Sequence, residues 1–179
     1  MRKKTQSNIA AEKLQLVAVM PSTWNALRSE ILKIEDKSFP PTLADSEKDL
    51  RRVADSPTGI FLALCSPSSP RVLGYIAADL LEKFPNIPGT ASDPHFKKRD
   101  TIYLKSVAVH PDWRGRGLSI TLIRECLRLV SERGIKRATA HIESGSLSRI
   151  GLVGRILKSF ENWYGTGRTF DYVELPIER

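Results

Sequence analysis

Cysteine is nearly absent from this 179-residue chain, with Cys65 and Cys126 as its only two. Both sit in apolar stretches without CxxC spacing or a nearby histidine, which speaks against a disulfide framework and against a zinc site. Two buried thiols in a reducing compartment are the simpler expectation, and a cytoplasmic protein follows from it. No apolar run approaches the roughly 18 residues that a membrane-spanning helix needs. The opening segment "MRKKTQSNIAAEKLQ" is basic, lacks an apolar core and contains Glu12, so it does not read as a secretory signal. Residues 1–10 read as a flexible basic tail, and 11–179 as one domain. Aromatic residues make up 7% of the chain, with no RNP-type pattern and no C2H2 spacing, which leaves nucleic acid a minor partner.

Positive charge is what the chain has in excess. Its 28 Lys and Arg outnumber 20 Asp and Glu, for a formal net charge of +8. Such an excess suits a phosphate-bearing ligand, a nucleic acid or an acidic surface, and does not by itself choose among them.

Periodicity gives an order of elements. A strand over 13–20 stops at Pro21, and a helix over 22–39, with Ser22 as its N-cap, carries Trp24, Leu27, Ile31 and Ile34 at helical spacing. A short helix over 46–55 precedes a hairpin of strands at 59–66 and 72–81. Residues 83–100 contain three prolines and read as a loop or insertion. The strand 101–109 has an apolar phase that slips by one residue between Leu104 and Val107, as a β-bulge near Lys105 or Ser106 would cause. Leu118, Leu122, Ile123, Cys126, Leu127 and Val130 share one face of a helix that Gly134 ends. A strand at 136–143, a less ideal helix at 147–160 and a last strand at 168–177 complete an α/β chain.

The most informative stretch is "VAVHPDWRGRG", Val107 to Gly117, placed between a strand and a helix. Glycines there expose consecutive backbone N–H groups, and Arg114 and Arg116 add positive charge at a helix N-terminus, an arrangement suited to a pyrophosphate. It is neither G-x-G-x-x-G nor G-x-x-x-x-G-K-[ST], so a Rossmann fingerprint and a P-loop are both excluded.

The stretch resembles motif A of the GNAT superfamily of N-acetyltransferases, R/Q-x-x-G-x-G/A after a bulged strand. Arg114 matches the leading position and Gly117 the middle glycine, while Ser119 stands where the family has Gly or Ala. The resemblance extends to the order of elements from residue 13 onward. It implies an α/β fold with a mixed, mostly antiparallel central sheet, a splayed parallel strand pair and flanking helices. It implies acetyl-CoA as cofactor, with its pyrophosphate on Arg114, Gly115, Arg116, Gly117, Leu118 and Ser119 and its pantetheine arm along Val107, Ala108 and Val109. The implied reaction is direct attack of a primary amine, from a small molecule, a peptide N-terminus or a lysine, on the acetyl carbonyl.

Catalytic residues follow from the same resemblance. Relatives that acetylate protein N-termini carry E-V-R-x-S-N after the second core strand, and "ESGSLS" is similar in frame. It puts Glu143 at the base position and Ser148 at the asparagine. Other members place Glu in the bulged strand where this chain has Tyr103, and arylalkylamine-type members place His where it has Lys105. His141, two residues before Glu143, is the second choice as base or relay. The family's acid tyrosine falls at Arg155, which cannot donate a proton, and leaves Tyr164 as the alternative. His110 and the tryptophans Trp113 and Trp163 read as structural. A catalytically silent acyl-CoA-binding module and an acetyltransferase for an aminoacyl-RNA remain the open alternatives.

Overall fold

The structure is a computed structural model that describes residues 14–67 and 71–177, so the basic tail lies outside the described residues. Its centre is a seven-stranded sheet. In chain order the elements are β1 (Gln15–Ala18), α1 (Pro21–Ser38), α2 (Glu47–Asp55), β2 (Ile60–Cys65), β3 (Val72–Leu80), β4 (Thr101–Val109), α3 (Leu118–Glu132), β5 (Arg137–Glu143), α4 (Ser146–Arg149), β6 (Arg155–Phe160) and β7 (Phe170–Leu175). The strands lie in the order β1-β2-β3-β4-β5-β7-β6. All neighbours are antiparallel except β4 and β5. This is the mixed sheet with a single parallel pair that the motif resemblance implies. No helix among the described residues is long and apolar enough to cross a membrane.

Helix α1 starts two residues earlier than the Ser22 cap would allow. Pro21 occupies its first turn, where a missing N–H costs nothing, and the Met20 N–H donates to Thr23 Oγ1 at 2.9 Å in place of a serine cap. For α2 a serine cap does form, because Asp49 N–H donates to Ser46 Oγ at 3.2 Å.

The sheet is covered on both faces. Leu122, Cys126 and Val130 of α3 are fully buried against Leu73, Ile76, Ile102 and Ala138. On the opposite face Trp24, Ile31 and Ile34 of α1 and Leu50 and Val53 of α2 pack on Phe61, Ala63 and Tyr75. Beyond them the segment 83–100 folds over the same face, laying Phe84, Ile87 and Phe96 against Tyr103 and Tyr172. What reads in sequence as an insertion is thus a covering layer for the second half of the sheet.

The helix expected at 147–160 does not form. One turn, α4, ends at Gly151, which adopts φ +68, and residues 155–160 instead pair antiparallel with β7 as the edge strand β6. Of the apolar residues at the start of 147–160, only Leu147 lies on that turn, with Ile150 as its C-cap. Further on, pairing with β7 outweighs local propensity, as tertiary context routinely does for short segments.

The strand slip does have a bulge behind it. Ala77 pairs with Ser106 and Ala78 with Leu104, which leaves Lys105 as the extra residue on β4. Its effect is to turn Ile102 and Leu104 before the bulge, and Val107 and Val109 after it, toward the same α3 face. Parallel pairing with β5 runs from Thr101↔Arg137 to Leu104↔Ala140 and stops there. The two strands part at the bulge.

Leu122 has 0% exposure at the centre of the α3 contact. Leu122→Ala should lower unfolding free energy by about 2–5 kcal/mol, as cavity formation does in well-packed cores, which urea denaturation followed by circular dichroism would read.

Candidate active site

Where β4 ends, Pro111 to Trp113 form a tight turn that leads into the loop Arg114–Gly117 and the start of α3. Gly115 and Gly117 adopt φ +73 and +75, a left-handed conformation that side chains disfavour. A Cβ added at Gly115 would meet no atom within 4 Å, and one at Gly117 only Ile120 Cγ2 at 3.7 Å, so the space before the loop is open. Gly117 caps α3 without a side-chain hydrogen bond, which leaves the first N–H groups of the helix for a ligand or water. A cavity of about 270 Å³ lies against this loop, lined by Ala108, Val109, Arg114, Gly115, Gly117 and Leu118 together with Val107, Ser119 and Phe39.

The two arginines differ. Arg114 braces the loop, its Nε donating to the Val109 carbonyl at 3.2 Å and its Nη2 to Ser38 Oγ at 3.1 Å. Arg116 stands over the Trp113 ring with its guanidinium 4.6 Å from the ring centre, and does not line the cavity.

A larger cavity of about 450 Å³ occupies the gap between β4 and β5 and shares Phe39, Val107 and Ser119 with the first. Tyr103, His141, Trp163, Tyr164 and Ile87 line it on the face covered by segment 83–100. The Tyr103 hydroxyl is 2.9 Å from His141 Nδ1. The imidazole is stacked between Trp163, at 4.4 Å between ring centres, and Tyr172, at 4.7 Å. Burial pushes His141 down to about 4, the Pro88 carbonyl opposing this only in part and without closing a hydrogen bond to the buried Nε2. Burial likewise pushes the Tyr103 phenol well above its ordinary 10, so it stays protonated and acts as the donor to Nδ1.

Opposite this pair, the α1–α2 connection forms a wall. Asp45 accepts hydrogen bonds from Lys105, the bulge residue, and from Ser106. The Asp45 N–H in turn donates to Glu35 Oε1 at 2.6 Å, and the Tyr75 hydroxyl bonds the same carboxyl group. Glu35 is 1% exposed, and this burial pushes its carboxyl up to about 7 despite the Asp45 amide. Among the described residues Asp45 is the only carboxylate lining the wedge, and it is already committed to Lys105 and Ser106.

Of the residues singled out in sequence, the fold gathers Val107, Ala108, Val109, Arg114, Gly115, Gly117, Leu118 and Ser119 around one groove, and brings His141 and Tyr164 into the adjoining wedge. Glu143 is not brought there. It ends β5 with its side chain 43% exposed and 3.7 Å from Arg168. Arg155 lies on β6, outside the wedge, and is hydrogen-bonded to Glu174 at 2.9 Å. Nothing in the sequence gives Tyr103 or Asp45 a site role, and Trp163, which reads there as structural, lines the wedge. Local pattern could not have found the Asp45 wall, since the α1–α2 connection meets β4 only in three dimensions.

Residues 24–156 match the family model described as Acetyltransferase (GNAT) family. No curated protein matches the sequence. The fold is similar to that of the ribosomal-protein-S18-alanine N-acetyltransferase from Escherichia coli, with TM-score 0.67, 14% identity and coverage of 93% of this chain and 95% of that one. It is similar as well to Arabidopsis thaliana NAA60 in complex with acetyl-CoA, with TM-score 0.66, 15% identity and coverage of 90% and 97%. A third similar fold is Ard1 from Thermoplasma volcanium, with TM-score 0.66, 13% identity and coverage of 93% and 99%.

Because His141 is held down to about 4 from 6.5, its neutral form contributes stability that is complete above 6.5 and is lost as pH falls through 4. The contribution is on the order of 3 kcal/mol. An NMR titration of the His141 ring should show no protonation until the pH approaches 4, whereas a midpoint near 6.5 would mean the ring is open to solvent.

Proposed function

Because the chain belongs to the GNAT acetyltransferase family, we propose that it moves the acetyl group of acetyl-CoA to a primary amine by direct attack, the amine's proton passing to the Tyr103–His141 pair. The observation that carries this reading is that the two cavities adjoin, sharing Phe39, Val107 and Ser119, one lying against the glycine loop and the other lined by Tyr103 and His141. When bound, acetyl-CoA supplies an acetyl thioester open to attack by nitrogen.

The open loop fits a pyrophosphate, since the αL glycines leave no side chain before the first N–H groups of α3. Past the bulge, β4 pairs with β3 on one edge only, and its free edge at Val107 to Val109 suits an amide-bearing arm such as pantetheine. A similar fold in complex with acetyl-CoA supports the same cosubstrate.

The wedge walls are largely apolar, with Phe39, Leu43, Ile87 and Trp163 among them, and such surroundings disfavour an ammonium and favour a neutral amine. As the N–C bond forms and the C–S bond breaks, the nitrogen gains positive charge and becomes strongly acidic. A weak base is then sufficient. The Tyr103 oxygen takes the proton while its own passes to Nδ1 of His141, 2.9 Å away. Burial raises the Tyr103 phenol too far for it to ionise alone, so the relay needs the imidazole. The departing sulfur is a tolerable leaving group near neutrality, since a thiol titrates at about 8.5. Tyr164, whose phenol is also pushed up by burial, is the proton donor nearest to that role in the wedge. Glu143 is the weaker choice of base, because it does not line the cavity and would have to act through water.

Gly117→Glu should abolish acetyl-CoA binding in calorimetry while the protein stays folded, because the new side chain brings bulk and negative charge to the phosphate cradle. Unchanged affinity in a folded variant would remove the cofactor assignment. His141→Gln and Tyr103→Phe should each lower turnover about 10²- to 10⁴-fold, measured as thiol release with a panel of amines. Glu143→Gln and Tyr164→Phe should each lower it less than about 10-fold. A large loss at Glu143 with near-normal turnover at His141 would transfer the base role to Glu143.

A further inference from the structure

We propose that Asp93, on the segment between β3 and β4, is a positioning residue that sets the plane of the His141 imidazole through Tyr172. The inference rests on the reading of His141 as the group that receives the proton.

Asp93 lies outside every strand and helix, yet its side chain is 1% exposed. Its carboxylate accepts from Arg137 Nη1 and Nη2 at 3.0 Å each, from the His95 N–H at 2.8 Å and from the Tyr172 hydroxyl at 2.8 Å. Burial acts to raise this carboxyl, but the Arg137, His95 and Tyr172 hydrogen bonds prevail and hold it below its ordinary value. Arg137 is fixed in turn by Glu174, its Nε donating to Oε2 at 2.9 Å. Tyr172 faces His141 directly across the β5–β7 ladder, and the two rings stack with an interplanar angle of 20°. The Tyr172 hydroxyl also lies 3.2 Å from Thr139 Oγ1. Burial, with the Asp93 hydrogen bond, pushes the Tyr172 phenol far up, so this donor is not lost at any working pH.

A buried ion pair is poor at adding stability compared with apolar side chains of similar size, and its better-attested use is to specify one arrangement. Here the arrangement specified is the angle of the Tyr172 ring. That ring is one face of the sandwich around His141, whose other face is Trp163. The same segment supplies Phe84, packed at 5.2 Å on the Tyr103 ring, and the Pro88 carbonyl acting on His141. Both partners of the proton relay are thus held from this layer. A 2.9 Å hydrogen bond from Tyr103 to Nδ1 requires the imidazole to keep one orientation, and a freely tilting ring would break it for part of the time.

Asp93→Asn would set an amide N–H against the buried Arg137 and is expected to unfold the protein, so Tyr172→Phe is the informative variant. It keeps the stacking ring and removes only the hydroxyl, which bonds Asp93 and lies near Thr139. Tyr172→Phe should fold, bind acetyl-CoA with unchanged Kd, and lower kcat about 10-fold, the scale expected from small misplacement of a reacting group. In the parent protein the 15N shifts of the His141 ring should report one tautomer, with the proton on Nε2, and in Tyr172→Phe they should move toward an average of two. In a His141→Gln background the same change should cause no further loss. A Tyr172→Phe protein with parental kcat and parental His141 shifts would overturn the proposal. If His141→Gln keeps its turnover while Tyr172→Phe still changes the His141 shifts, Asp93 does position the ring, and the catalytic reading of His141 is the part that fails.

Discussion

An extra residue in one strand governs the rest of this molecule. Lys105 has no partner on β3, and the bulge it makes bends β4 away from β5 after Leu104. A regular strand would have continued its parallel pairing and closed the gap with backbone hydrogen bonds, leaving neither wedge nor free edge. The bulge stays in place because Lys105 and the next residue, Ser106, are both bonded to Asp45. Asp45 is held by its own backbone to Glu35 in α1. Helix, connection and strand therefore define one opening together, and the walls of that opening are the residues that fix it.

The two ends of the channel use different physics. At the glycine loop the resources are backbone N–H groups and open space, suited to a polyanion that remains solvated on one side. In the wedge the resources are desolvation and stacked rings. Desolvation weakens His141 as a base, yet it keeps the ring neutral at every pH where an amine nucleophile is present. In the proposed relay this weakness is acceptable, because the proton would leave nitrogen only after charge has developed on it. Apolar surroundings that disfavour an incoming ammonium also disfavour a permanently charged imidazolium, so one property of the cavity serves both.

Segment 83–100 changes meaning between sequence and structure. Its prolines and polar residues mark it as a loop, and nothing in its local pattern announces Asp93 as a buried carboxylate or Phe84 as a neighbour of Tyr103. Those roles depend on Arg137, Tyr172 and Tyr103, contributed by β5, β7 and β4. The helix expected over 147–160 failed for a related reason. Its apolar spacing was compatible with a helix, but an available edge on β7 decided the matter for residues 155–160.

What the sequence determined by itself were features whose cause is local. The glycine loop between strand and helix, the amphipathic α3 with its glycine stop, the one-residue slip in β4 and the family resemblance can all be read there, because turn chemistry and side-chain phase belong to contiguous residues. The bulge left its trace in the apolar alternation of Leu104 and Val107, while the splaying of β4 from β5 was an expectation carried by the family resemblance. Only the tertiary structure decided which polar groups meet. Glu143 and His141 share a strand and a spacing of two, yet one ends beside Arg168 in solvent and the other is enclosed by Trp163 and Tyr172. The difference lies in what the rest of the chain brings over each position, and burial, which sets proton affinity, is a property of that covering and not of the residue.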